Sequence, residues 1–143
     1  MSSNKIQATI IIEVIGRPPE HLTETLEEMI KQINSEKGVQ VIGKTLNEPT
    51  LIKDQTELYV SFAEVELECE EISTLILLSF KYMPANIEIT SPSSINISND
   101  RLNEVTNELL MKLHRYDEVA RILETEKSIL ERKLRDIGES SKL

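Results

Sequence analysis

The chain has 143 residues, a formal net charge of −9, a single cysteine, no tryptophan and five aromatic residues. That length fits one domain of ~100–150 residues with room for an appendage. No run approaches the ~18 apolar residues a bilayer span needs. The opening Met-Ser-Ser-Asn-Lys lacks a secretion signal's apolar core, and a lone Cys69 excludes an internal disulfide and argues against structural zinc. The expectation is a cytoplasmic protein without cofactor or membrane partner.

The charge is unevenly placed. Residues 1–98 hold 15 acids and 7 bases, whereas residues 99–143 hold 10 and 9. The patterning also changes near Ser91-Pro92-Ser93-Ser94. The spacing therefore predicts a domain over 1–91, a linker over 92–98, a long helix over 99–138 and a disordered tail over 139–143.

Ile6, Ala8, Ile10, Ile12 and Val14 alternate with a second set of side chains, the period of a strand with one apolar face. Pro18-Pro19-Glu20 then opens a helix, because proline fits a first turn and an acid suits its positive end. Leu22, Leu26, Met29, Ile30 and Ile33 form its inward stripe, and Gly38 stands where a C-terminal cap is expected. Val39 to Leu46 reads as a second strand, residues 47–56 with Pro49 and Asp54 as a loop, and Leu58 to Cys69 as a long third strand. A second helix from Glu70 is stopped by Pro84, and Asn86 to Thr90 makes a fourth strand. The fold class is therefore α+β: a ferredoxin-like βαββαβ sandwich, two helices on one sheet face and the other face open, followed by a long C-terminal helix.

From about Asn99 to Ile137 the helical pattern is unbroken, with Ser98, Asn99 or Asp100 as its cap. Leu102, Leu109, Tyr116, Leu123, Leu130 and Ile137 recur every seven residues, and Thr106, Leu113, Ala120, Lys127 and Leu134 fall between them. These are the d and a positions of a heptad, the period that supercoiled helices require. Lys127 at an a position costs stability, yet its stem packs while its ammonium reaches water. The expected partner is a second copy, with Leu109, Leu113, Tyr116, Ala120, Leu123, Lys127, Leu130, Leu134 and Ile137 as the interface. The flanking charges leave strand direction open: in a parallel pair Lys112 would meet Asp117, which attracts, and Glu126 would meet Glu131, which repels.

On the third strand Glu64, Glu66 and Glu68 share a side, and Leu58, Val60 and Phe62 continue that side upstream. This face, half acidic and half apolar, is the expected surface for a protein partner. Alternate strand residues stand ~6.5–7 Å apart, too wide for one small cation, so no metal site is expected. One cysteine and two histidines supply no nucleophile–base set, so no catalytic residue is expected either. Nucleic acid is disfavoured: an acidic body repels phosphate, and Tyr59 and Phe62 have opposite parity and cannot both stack bases. A nucleic-acid-associated factor using the basic Arg132-Lys133-Leu134-Arg135 tip stays open as an alternative.

Two resemblances accompany this reading. The first strand, Gly16-Arg17-Pro18-Pro19 and the helix from Glu20 resemble the opening of an ACT-type regulatory domain. That resemblance implies a ferredoxin-like fold and, as an alternative function, a small-ligand site near Gly16 and Arg17 at a dimer interface. ACT turns usually carry an acid followed by Pro-Gly, whereas here glycine precedes Arg-Pro-Pro. The segments Ser61-Phe62-Ala63-Glu64-Val65-Glu66, Tyr82-Met83-Pro84 with Ile87-Glu88-Ile89, and Leu113-His114-Arg115-Tyr116-Asp117 resemble a family of small archaeal proteins with no assigned activity. This second similarity spans most of the chain and implies an archaeal, cytoplasmic source and a body-plus-helix plan. The resulting expectation is a non-enzymatic assembly or adaptor protein.

Overall fold

The structure, a computed structural model, describes residues 5–53 and 57–141; Asp54 of the expected loop and the end of the expected tail lie outside the described residues. The elements run β1 (Ile6–Gly16), α1 (Pro19–Ser35), β2 (Val39–Leu46), β3 (Thr50–Leu51), β4 (Tyr59–Cys69), α2 (Ile72–Tyr82), β5 (Asn86–Ser91) and α3 (Asn99–Ser141). The class is α+β, and the expected βαββαβ order is present with β3 inserted into it. The chain divides into two units, residues 1–102 and 103–143.

In the first unit the sheet order is β2-β4-β1-β5, with every pair antiparallel. The two 11-residue strands, β1 and β4, are therefore central and pair along their whole length, Ile6 with Cys69 through Gly16 with Tyr59. Alternation then decides the layers. Ile6, Ala8, Ile10 and Ile12 of β1 and Ala63, Val65, Leu67 and Cys69 of β4 are buried against Leu26, Ile30 and Ile33 of α1 and Leu75 and Leu78 of α2. Isoleucine and valine suit this arrangement because branching at Cβ favours extended backbone and packs well on a pleated face.

Several local features differ from the sequence expectation. The loop after β2 contains β3, which pairs Thr50 and Leu51 with Val60 and Tyr59. β2 matches β4 only from Ala63 onward, so a second short segment completes the ladder beyond Pro49, which has no N–H to donate. Gly38 is not the cap of α1. The helix ends at Ser35, Glu36 is already extended, and the Val39 N–H donates to the Glu36 carbonyl at 3.2 Å. Gly38 is the third residue of that turn at φ +79°, a conformation glycine adopts without steric cost. The second helix starts at Ile72 rather than Glu70, because the Glu70 N–H donates to the Gly38 carbonyl at 2.9 Å and extends the sheet. It ends at Tyr82, with Met83 in the left-handed region at φ 49° and Pro84, which cannot continue a helix, directly after it.

Of the three candidate caps for α3, Ser98 is used: its Oγ accepts the Arg101 N–H at 3.2 Å. The helix continues through Gly138 to Ser141 instead of ending at 138. Along α3 the buried residue is Val105, and no residue from 106 to 141 is buried.

Candidate functional site

The sheet face turned away from α1 and α2 is built by register. Across β1 and β4 it sets Val60 beside Ile15, Phe62 beside Glu13, Glu64 beside Ile11, Glu66 beside Thr9 and Glu68 beside Gln7. β5 adds Glu88 opposite Thr9. One end of this face is therefore mainly apolar, with the exposed Glu13 set beside Phe62, and the other is acidic. Phe62 is 42% exposed and Ile15 58%, while Glu64 and Glu66 are exposed and Glu68 is half-buried. Leu58, one residue before β4, and Val60 are half-buried.

The acidic row is less uniform than its spacing suggests. Glu68 is held by Lys5, at 3.1 Å, and accepts from Gln7 Nε2 at 3.5 Å. Glu66 lies over Gly43 of β2, where a Cβ would come within 2.9 Å of its Oε2. Lys5 precedes β1, and Gly43 follows an irregularity in β2 between Val41 and Gly43. Neither neighbour is predictable from β4 alone. Among the described residues no group of three or more His, Cys, Asp or Glu side chains could hold a metal ion. Cys69 is buried at the end of β4, and burial pushes its thiol up to about 11, so it is a poor nucleophile at neutral pH.

At the other end of β1, Gly16 pairs with Tyr59, and its Cα leaves only 3.3 Å between a built Cβ and Leu22. Arg17 reaches the Glu57 carboxylate at 3.6 Å, and both are exposed. With Pro18, Pro19 and Tyr59 they line a shallow, open recess. The two candidate ligand residues are thus together, but Arg17 already faces an acid.

A cluster absent from the sequence reading joins the ends of the two sheet-covering helices. Glu36 Oε1 accepts from Lys81 Nζ at 2.6 Å and from Tyr82 Oη at 2.7 Å. The bond from Lys81, then that from Tyr82, holds the Glu36 carboxyl below its usual range. Burial, then the bond to Glu36, pushes the Tyr82 phenol up to about 12. No spacing rule links residues 45 apart, so only the fold reveals the cluster. Its role is to tie helix ends.

The second candidate surface is α3 itself. The interface residues Leu113, Tyr116, Leu123, Leu130, Leu134 and Ile137 are all exposed, up to 69% at Leu134. Ala120 and Lys127 are exposed as well, and Leu109 is half-buried. His114 and Tyr116 stand on this exposed helix, and Asp117 pairs with Arg121 at 3.1 Å rather than serving His114. Among the described residues no helix is long and apolar enough to cross a membrane.

The model of the MJ0538 family, named after an archaeal Methanocaldococcus protein, matches residues 7–138. No curated protein and no solved structure matches the chain.

Proposed function

We propose that this chain, which belongs to the MJ0538 family, is a non-enzymatic assembly protein of the cytoplasm. Its ferredoxin-like body presents the open sheet face, and α3 joins a second copy through its a/d seam as a coiled coil. The observation that carries the reading is the a/d row from Leu113 to Ile137: regularly spaced, apolar except at Lys127, and exposed on a 43-residue helix. An isolated helix gains little from propensity alone, and most helical stability comes from packing an apolar face. Burying a leucine side chain is worth ~1.5–3 kcal/mol, so such a row favours a partner helix.

The sheet face suits a protein whose own surface sets basic side chains around an apolar patch. Glu64 and Glu66 would meet the bases, and Phe62 and Ile15 the patch. Aromatic and aliphatic anchors at the centre of a patch supply affinity, while charges at its rim supply orientation and association rate.

Light scattering on the full chain tests self-association. The expected mass is at least twice 16.3 kDa. Leu123→Lys with Leu130→Lys should reduce it, because two charged side chains would be forced into the seam. A wild-type monomer at high micromolar concentration would refute the reading.

A further inference from the structure

α3 carries more apolar surface than one seam uses. Val119, Ile122 and Ile129 are exposed, yet none is at an a or d position. Val119 is at g and Ile122 and Ile129 at c, so they form a second stripe one residue behind the a/d row. One residue turns an α-helix by ~100°. Two seams at that angle suit a ring of four helices, where each helix meets one neighbour on each of two nearly perpendicular sides. A coiled-coil dimer would leave this stripe in water.

The charges flanking the stripe say what covers it. Its N-terminal end carries Lys112 at g and Arg115 at c, and its C-terminal end Lys133 at g and Asp136 at c. Glu126 at g stands between Ile122 and Ile129, while Glu118, Arg132 and Glu139 border the stripe at f. A parallel copy would set each charge against itself. An antiparallel copy with Ile122 opposite Ile129 sets Arg115 against Asp136, Glu118 against Lys133 and Lys112 against Glu139. It also lays Val119 against the stem of Arg132 and brings Glu126 beside Thr125, with no like-charge pair. Ser141 of the copy would then lie beside Leu110, so the overlap uses residues 110–141 of each helix. Such a contact is self-complementary and closes by two-fold symmetry, as dihedral assemblies require.

We infer that the c/g stripe of α3 is an antiparallel self-association surface, through which two a/d dimers close into a four-helix tetramer. The inference rests on the a/d seam proposed above.

Sedimentation equilibrium on the full chain, with circular dichroism as a check on helix content, separates the two seams. The wild type is expected at about four times 16.3 kDa. Ile122→Lys with Ile129→Lys should halve that mass without loss of helix. Arg115→Asp should weaken the tetramer, and adding Asp136→Arg should restore it by exchanging the ends of the pair. A wild-type dimer, or a tetramer that Ile122→Lys with Ile129→Lys leaves unchanged, overturns the inference and leaves the a/d reading standing. A wild-type monomer overturns both.

Discussion

In the central strands β1 and β4 apolar side chains on the core face are buried, with Ile10, Ala63 and Val65 0% exposed, whereas Ile87 and Ile89 of the edge strand β5 share that face and stay 41% and 42% exposed. In residues 106–141 apolar side chains at equally regular spacing stay open, with Leu123 at 58% and Ile137 at 66%. The two patterns are equally strict but differ in where the complement lies. A strand's apolar face meets two helices encoded in the same hundred residues. The heptad of α3 has no second heptad in this chain to meet. Regular spacing shows that a surface is meant to be covered; only the inventory of matching elements shows whether the chain can cover it itself.

The largest expected effect breaks this contrast directly. Leu26→Ala removes a fully buried side chain from α1 and should lower the unfolding free energy by ~2–5 kcal/mol in urea titrations. Leu123→Ala should leave the body's urea transition in place while weakening association measured by sedimentation. If both variants lower the body's transition equally, the division into two units is mistaken.

A smaller effect tests the turn that replaced the expected cap. Gly38→Ala places a Cβ at φ +79° and should cost ~1–2 kcal/mol by the same titration. Gly43→Ala, by contrast, meets only the mobile end of Glu66, and its cost should stay within ~1 kcal/mol.

The smallest effect concerns pH. Glu36 has a lowered pKa in the folded state, so its share of stability is present above the unfolded carboxylate value and is lost as pH falls through the folded one. Tyr82 is raised from 10.0 to about 12, so its share is present below pH 10 and is lost as pH rises through about 12. Tyr82→Phe should remove Tyr82's part of the alkaline loss, leaving that of the buried Cys69 thiol, and move the Glu36 titration, followed by NMR, back toward its ordinary value.

Much of the body was legible because its signals are local. The alternation from Ile6 to Val14, the stripe from Leu22 to Ile33 and the glutamate row of β4 each need only their own segment. The misses were non-local. β3 exists because β4 outlasts β2, and Lys5 quenches Glu68 across two strands. The Glu36–Lys81–Tyr82 cluster joins helix ends far apart in sequence. For the candidate surfaces, the residues of the sheet face and the seam were named from spacing, whereas their exposure and the apolar end completed by Ile15 required strand register.

By itself the sequence determined which side chains share a face, because helical and extended backbones repeat with fixed periods. It also determined that α3 is continuous, since no proline and no early glycine interrupts it. Only the tertiary structure decided which faces stay uncovered. Coverage depends on how many elements converge on a face and in what register, and that is set by long-range pairing such as β1 with β4, not by any single segment's pattern.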